Sequence, residues 1–203
     1  MKTNKNAAKI VEAYKSIGLN LAEILGEKRG AKTIVVTSPT AHEGKTTTAI
    51  NIAVALSQTG KKVLLIDSDM RSGTVHKKLR LSSSFGLYDL LKNRCELMQA
   101  ITTSGTLDVI VAGGQVNDPQ ELLFSDTFEN LVSGLGYAYD YIVIDSASVC
   151  DFKDTLYTAK YSDGVVLVVR EGKSFYKKID TAIKTLNSSG IKILGSVINA
   201  SAE

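Results

Sequence analysis

The chain has 203 residues, of which 44% are hydrophobic and 22% are charged, and its formal net charge is +3. These values are typical of one globular domain, residues 1–203, and the small net charge argues against nucleic acid as a partner. Two histidines argue against a zinc site, and two cysteines without a pairing pattern, Cys95 and Cys150, are expected to be reduced. We see neither a signal peptide nor an apolar run of about eighteen residues, so we expect a cytoplasmic protein.

An amphipathic helix is predicted over residues 7–26. Apolar residues recur there at intervals of four, three, four and three: Ile10, Tyr14, Ile17, Leu21 and Ile24. Basic residues are also concentrated in this part of the chain. We interpret them as a solvated helix face, and the alternative is contact with an acidic membrane surface or partner.

A phosphate-binding loop is predicted between a strand at residues 33–37 and a helix at 45–59. The strand is a β-branched apolar run, the turn is polar, and the helix pattern begins at once. Pro39 stands where the first glycine of this loop pattern is usual, but the strand–loop–helix context is present. We expect residues 39–47 to bind a nucleotide, with the nearest contacts from Glu43, Gly44, Lys45, Thr46 and Thr47.

Each residue type in this loop suits a phosphate group. Successive backbone N–H groups and the helix N-terminus favour an anion, and Gly44 lets the backbone approach it without a Cβ. Lys45 places a positive charge against the β- and γ-phosphates, and the Thr46 hydroxyl is suited to ligate Mg²⁺.

Three aspartates lie at or just beyond the ends of two further apolar strands. Asp67 ends the predicted strand at 62–67, Asp69 lies two residues beyond it, and Asp145 ends the strand at 141–145. Ligands of a parallel sheet gather outside the carboxyl ends of its strands, so these carboxylates should meet Lys45 in one crevice. Carboxylates together with a phosphate imply a bound cation, and Mg²⁺ fits because it prefers oxygen ligands.

The remaining elements alternate between strand and helix. This alternation predicts an α/β fold, a mostly parallel sheet with helices on both faces. Strands are predicted at 108–112, 164–169 and 192–198, and helices at 86–92, 120–134, 153–160 and 175–188. Asp118 is the predicted N-cap of the 120–134 helix, and Pro119 is its predicted first residue. We expect Tyr137, Tyr139 and Tyr141 to be packing residues.

Taken together, these segments resemble the bacterial tyrosine kinases, P-loop kinases that control capsular and exopolysaccharide synthesis. The loop is similar to their Walker A motif, residues 65–71 to Walker A′, and Ile144-Asp145 to Walker B. The resemblance extends over nearly the whole chain, and it implies a P-loop NTPase fold that uses ATP or ADP with Mg²⁺.

The resemblance also implies roles for single residues. Lys45 would hold the phosphates, and Thr46 would ligate Mg²⁺ with support from Asp69 and Asp145. Asp67 would be the base for the incoming tyrosine hydroxyl. Asn199 looks like the residue that reads the adenine edge in related ATPases, and the alternative is an ordinary turn residue at a strand end.

The activity implied is that of a non-specific protein-tyrosine kinase acting on itself or on other proteins. Its implied partners are a transmembrane activator or adaptor at the inner face of the membrane and, in a homo-oligomer, further copies of the chain. Family members end in a tyrosine cluster, whereas the four residues after Asn199 include no tyrosine. An ATP-binding regulator without kinase activity is therefore one alternative. A partition or division-site ATPase is another, although Thr40 stands where that group carries an extra lysine.

Other positions also depart from the family pattern. His42 replaces a frequent loop glycine, and residues 146–148 replace the usual Thr-Pro-Pro. Lys15 and Gly18 stand where the family often has arginines used in ring assembly.

Overall fold

The computed structural model describes residues 2–82 and 84–199. Its strands are β1 (Lys32–Thr37), β2 (Val63–Asp67), β3 (Ile101–Ser104), β4 (Leu107–Ile110), β5 (Tyr141–Asp145), β6 (Gly164–Arg170) and β7 (Ile193–Asn199). Its helices are α1 (Lys2–Leu25), α2 (Lys45–Ser57), α3 (Val75–Leu79), α4 (Leu87–Leu91), α5 (Leu97–Ala100), α6 (Gln120–Leu123), α7 (Asp126–Leu135), α8 (Asp154–Lys160) and α9 (Tyr176–Ser188).

The strands form one seven-stranded sheet in the order β3-β4-β2-β5-β1-β6-β7. Every pairing in it is parallel except that of β3 with β4. The central strands β2 and β5 are buried along their whole length, as expected when helices cover both faces of a parallel sheet. The predicted α/β class is confirmed.

Two hydrophobic clusters lie on opposite faces of the sheet because successive side chains of a strand alternate in direction. On β1, Val35 belongs to one cluster, while Ile34 and Val36 belong to the other. Residues from α7 and α9 complete the first cluster, and residues from α1 and α2 complete the second. This arrangement fixes α2, and with it the C-terminal end of the phosphate-binding loop, against the middle of the sheet.

Helix α1 packs on α2, but only part of its predicted apolar stripe is buried. Leu21 is in the core at 4% exposure, and the Tyr14 hydroxyl lies 3.4 Å from the Thr48 hydroxyl. Ile10 and Ile24 remain exposed, as does Leu19. In the part of the chain that the structure describes, we find no helix with the length and apolar character needed to span a membrane.

Several short elements escaped the sequence pattern. Strand β3 was not predicted, and neither were the helices α3 and α5, because four or five residues give too few repeats for a period. The predicted helix at 120–134 is in fact two helices. Ser125 separates them: its hydroxyl accepts a hydrogen bond from Phe128 N at 3.3 Å and so starts a new N-terminus.

The predicted start of that helix was also wrong. Pro119 is the N-cap and the helix begins at Gln120, while Asp118 lies 3.7 Å from the Arg71 guanidinium and contributes to an ion pair instead. Of the tyrosines expected to pack, Tyr141 is buried, but Tyr137 is 94% exposed because it lies in the turn after α7. Cys95 and Cys150 are free thiols, as predicted.

Candidate functional site

The loop between β1 and α2 has the backbone of an anion site. Gly44 is the N-cap of α2 and has φ 98°, a left-handed conformation that side chains rarely adopt. Space is restricted as well, since a Cβ at Gly44 would overlap the side-chain amide of Asn199. His42, which replaces the frequent glycine, also has a positive φ of 64°. The loop therefore keeps a glycine-like geometry at both positions.

Parallel pairing brings the predicted acidic residues together. Asp67 on β2 is the register partner of Asp145 on β5, and Asp145 also pairs with Val36 of β1. Asp69 follows β2, and its carboxylate receives a 2.7 Å hydrogen bond from the Lys45 ammonium at the start of α2. The crevice predicted from three strand ends is thus present.

Asp145 is the aspartate of the crevice whose carboxylate most clearly lacks a binding partner in the described structure. It is fully buried, and neither of its carboxylate oxygens has a hydrogen-bond partner among the described residues. Burial raises its pKa to about 6, although the charge of Lys45 and the nearby Thr46 hydroxyl act to lower the pKa. Thr46 does not reach hydrogen-bond geometry with it. A buried carboxylate without a partner is costly, and a bound cation would remove that cost.

Lys45 and Asp69 form an ion pair inside the crevice. Burial alone would lower the pKa of Lys45, but the charges of Asp145 and Asp69 raise it above its ordinary value. Burial alone would raise the pKa of Asp69, but Lys45 and the hydrogen bonds from Ser72 bring it below its ordinary value. Both side chains are therefore charged at neutral pH.

Asp67 is bound to the backbone of the segment that follows it. Its carboxylate accepts hydrogen bonds from Asp69 N at 3.2 Å and from Val75 N at 3.1 Å. Burial and the charge of Asp145 raise the pKa of Asp67 well above its ordinary value. The carboxylate thus fixes the start of α3 in addition to facing the crevice.

Asn199 and Glu43 meet at the rear of the loop. The Asn199 amide nitrogen donates to the Glu43 carbonyl oxygen at 2.9 Å and lies 3.4 Å from the Thr48 hydroxyl. The buried Glu43 side chain accepts from the Thr40 hydroxyl at 2.7 Å through Oε1, whereas Oε2 has no partner among the described residues. In this conformation Glu43 stabilises the loop with its side chain and points inward.

A cavity of about 450 Å³ opens over these groups. Lys45, Thr46 and Thr47 line it, as does Asp69. Several lining residues had no sequence signal because they come from loops or from a five-residue helix: Ser72, Thr74, Lys78, Ser148 and Phe152. Arg170, the last residue of β6, also lines the cavity.

An ion pair with a buried carboxylate supports the segment beyond Asp69. The Arg71 guanidinium donates to both oxygens of Asp154, at 2.7 and 3.2 Å, and stacks over the Phe152 ring at 4.4 Å. Asp154 is fully buried. This contact joins the end of β2 to α8 and holds one wall of the cavity.

The residues present fit a hard cation bound with phosphate. The described residues contain no group of three or more His, Cys, Asp or Glu side chains arranged to enclose a metal ion. Mg²⁺ usually keeps several waters and takes one or two carboxylates together with substrate phosphates. Asp145, Asp69 and the Thr46 hydroxyl provide ligands of that kind beside the loop.

Comparison with protein families and curated proteins gives a consistent result. The model of the AAA domain family matches residues 31–191. Tyrosine-protein kinase YwqD of Bacillus subtilis is 35% identical over 93% of this chain and 80% of its own length. Putative tyrosine-protein kinase CapB of Staphylococcus aureus is 32% identical over 97% of this chain and 86% of its own length. Tyrosine-protein kinase wzc of Salmonella typhimurium is longer, and the chain spans only 27% of it.

Solved structures agree with this picture. The chimerical protein CapA2B2 is 31% identical, with a TM-score of 0.89 over 95% of this chain and 85% of its own. The kinase domain of Escherichia coli tyrosine kinase ETK is 28% identical, with a TM-score of 0.88 over 94% of this chain and 75% of its own. The septum site-determining protein MinD of Pyrococcus horikoshii shares the fold. It is 23% identical, with a TM-score of 0.70 over 83% of this chain and 70% of its own.

Proposed function

Since the chain belongs to the family of bacterial tyrosine-protein kinases, we propose that it is an ATP-dependent protein-tyrosine kinase. It would act in the regulation of capsular or exopolysaccharide synthesis and export, the context that the family resemblance implies. The main support is the convergence of four charged side chains beneath the N-terminus of α2, those of Lys45, Asp67, Asp69 and Asp145. The fully buried Asp145 carboxylate has no hydrogen-bond partner in the described structure.

The chemistry proposed is transfer of the γ-phosphoryl group of ATP to a tyrosine hydroxyl. The tyrosine oxygen forms a bond to the γ-phosphorus, the bond to the β–γ bridging oxygen breaks, and ADP leaves. The loop backbone and Lys45 hold the phosphates in line for this displacement. Asp67 receives the hydroxyl proton, because a carboxylate that accepts two backbone hydrogen bonds still has free lone pairs.

Mg²⁺ would supply charge neutralisation on the β- and γ-phosphates. Thr46, Asp69 and Asp145 are the residues proposed to hold it, directly or through water. Lys45 now neutralises Asp69 across 2.7 Å. Nucleotide binding would draw the Lys45 ammonium to the phosphates and free the Asp69 carboxylate for the cation.

For Asn199 we propose a role at the base of ATP. Its amide nitrogen donates to the Glu43 carbonyl of the loop and is directed at the Thr48 hydroxyl of α2. The side-chain oxygen is left to accept from the adenine amino group. Asn199 would then link the base to the loop that holds the phosphates.

We also propose that the protein works at the inner face of the membrane through a transmembrane activator or adaptor. The exposed apolar side chains of α1, namely Ile10, Val11, Leu19 and Ile24, support this because they exceed what packing on α2 requires. Self-association through the same helix is a further part of the proposal.

An ATP-binding regulator without kinase activity is the second candidate. The observation in its favour is that Asp67 already serves a structural purpose, through its bonds to Asp69 N and Val75 N. A partition-type ATPase receives less support, since Thr40 stands where that group has a lysine and its hydroxyl instead binds Glu43.

Mass spectrometry separates the two candidates. The wild-type protein and Asp67→Asn would be incubated with ATP and Mg²⁺ and searched for phosphotyrosine, with circular dichroism as a check on folding. We expect phosphotyrosine in the wild type and little in a folded Asp67→Asn variant. Nucleotide binding without any phosphotyrosine in the wild type, also when a membrane fraction is added, would favour the regulator.

A further inference from the structure

A second lysine lines the nucleotide cavity in addition to the one in the loop. Lys78 lies on α3 and shares the cavity with Lys45, Thr46 and Asp69. Its side chain is solvent-exposed. Among residues 2–82 and 84–199, no hydrogen bond or ion pair involves its ammonium group. The cavity therefore holds a cation that is not needed for the fold.

The position of Lys78 is fixed by the segment that carries it. Asp67 accepts a hydrogen bond from Val75 N at 3.1 Å, and Lys78 N donates to the Thr74 carbonyl at 3.1 Å. Packing before the helix is close: a Cβ at Gly73 would lie 3.0 Å from the Asp67 carboxylate. Lys78, one turn into α3, thus remains beside the crevice.

The two lysines of the crevice have different charged neighbours. Lys45 is engaged with Asp69, and in a phosphate-binding loop its ammonium serves the β- and γ-phosphates. The positive charge of Lys78 reaches Asp145, whose pKa it lowers. A triphosphate brings more negative charge into the cavity than a diphosphate does, and Lys78 is the free ammonium that can neutralise it.

We propose that Lys78 binds the terminal phosphate of a nucleoside triphosphate and allows the site to distinguish a triphosphate from a diphosphate. This inference rests on the proposed function, because it assumes that the cavity holds a nucleotide. It assigns to α3 the recognition of the group that is transferred. Binding of the β-phosphate remains with the loop.

Titration calorimetry with two ligands tests the assignment. ADP and the non-hydrolysable analogue adenylyl imidodiphosphate, each with Mg²⁺, would be titrated into the wild type, Lys78→Met, Lys78→Arg and Lys77→Met. Lys77 is an exposed neighbour on the same helix and does not line the cavity, so it is the matched control. A charge-assisted hydrogen bond predicts that Lys78→Met weakens the triphosphate analogue about tenfold or more.

The same loss should not occur with ADP. The affinity of Lys78→Met for ADP should be within about twofold of the wild-type value, which is less than the loss of one charge-assisted hydrogen bond would cause. Lys78→Arg should recover most of the triphosphate affinity, and Lys77→Met should match the wild type. Equal effects of Lys78→Met on both ligands, or no effect on either, would overturn the inference while leaving nucleotide binding established. A wild type that binds neither ligand would overturn the proposed function itself and this inference with it.

Discussion

The side-chain amide of Asn199, the last residue of β7, donates a 2.9 Å hydrogen bond to the main-chain carbonyl of Glu43 in the phosphate-binding loop. This bond joins two segments that are 156 residues apart in the chain. It also explains why Gly44 has no room for a side chain, since the Asn199 amide occupies that space.

Asn199 therefore supports a prediction about nucleotide preference. Asn199→Ala should weaken ATP binding and reduce the preference for ATP over GTP, because both the loop contact and the proposed adenine acceptor are lost. Asn199→Asp keeps an acceptor oxygen but loses the N–H donors, so it should weaken both nucleotides and retain the preference for ATP. Competition binding with ATP and GTP measures this. An Asn199→Ala variant with an unaltered ATP preference would assign the residue to loop support alone.

The unpaired carboxylate of Asp145 predicts a dependence of stability on pH. Its pKa in the folded protein is raised to about 6 from 3.8, so the folded state binds the proton more tightly than the unfolded state does. The free energy of unfolding of the metal-free protein should therefore fall as pH rises between these values, by up to roughly 3 kcal/mol. Chemical denaturation from pH 4 to pH 8 measures the slope.

Asp145→Asn is the matched variant for that experiment. It removes the charge at nearly constant shape, so it should be more stable than the wild type above about pH 6 in the absence of metal, and its pH slope should be smaller. It should also lose most of the stabilisation that Mg²⁺ and nucleotide give to the wild type. A wild type and a variant with identical pH profiles would show that Asp145 is not an unpaired charge.

The pair of Arg71 with the buried Asp154 predicts a clear loss of stability. Asp154→Ala removes two charge-assisted hydrogen bonds from the Arg71 guanidinium, which keeps its contacts with the Asn117 carbonyl and with Asp118, and should lower the free energy of unfolding by about 1.5–3 kcal/mol. Asp180→Ala is the control, because it breaks the exposed ion pair with Lys184 and should cost less than about 0.5 kcal/mol. Urea denaturation compares them, and similar losses in the two variants would contradict the assignment.

We predict different effects on stability for substitutions at two leucines of α1. Leu21→Ala, in the core, should lower the free energy of unfolding by about 2–5 kcal/mol. Leu19→Ser, at an exposed site, should change it by less than about 0.5 kcal/mol but reduce stimulation of turnover by a solubilised membrane fraction. Unchanged stimulation of Leu19→Ser would remove α1 from the proposed partner surface. Removal of residues 1–26 would be a poorer test because it also deletes Leu21.

The sequence contains enough information to predict the centre of the site but not its walls. Lys45, Asp67 and Asp145 were predictable because each lies at the end of a long apolar strand or at the start of a long helix, and parallel pairing leaves little choice about where those ends meet. Lys78 and Phe152 were not, since they come from a five-residue helix and from a loop without periodicity. Their positions depend on contacts with Asp67 and Arg71 that are remote in sequence.

The fold shows the same division. The parallel strands and the longer helices were predicted to within a few residues, because their apolar runs exceed one period. Strand β3 was missed since its four residues are partly exposed and carry little hydrophobic signal. The break between α6 and α7 depends on the Ser125 cap, which a continuous helical pattern conceals.

Calorimetric titration of adenylyl imidodiphosphate into the wild type and Lys45→Ala, each with and without Mg²⁺, tests whether Lys45 and the three aspartates form one magnesium–nucleotide site. The wild type should bind tightly only with Mg²⁺, and Lys45→Ala should lose most of that affinity while its circular-dichroism spectrum stays unchanged. The same affinity in both proteins, or wild-type binding that does not depend on Mg²⁺, would show that these residues do not form such a site.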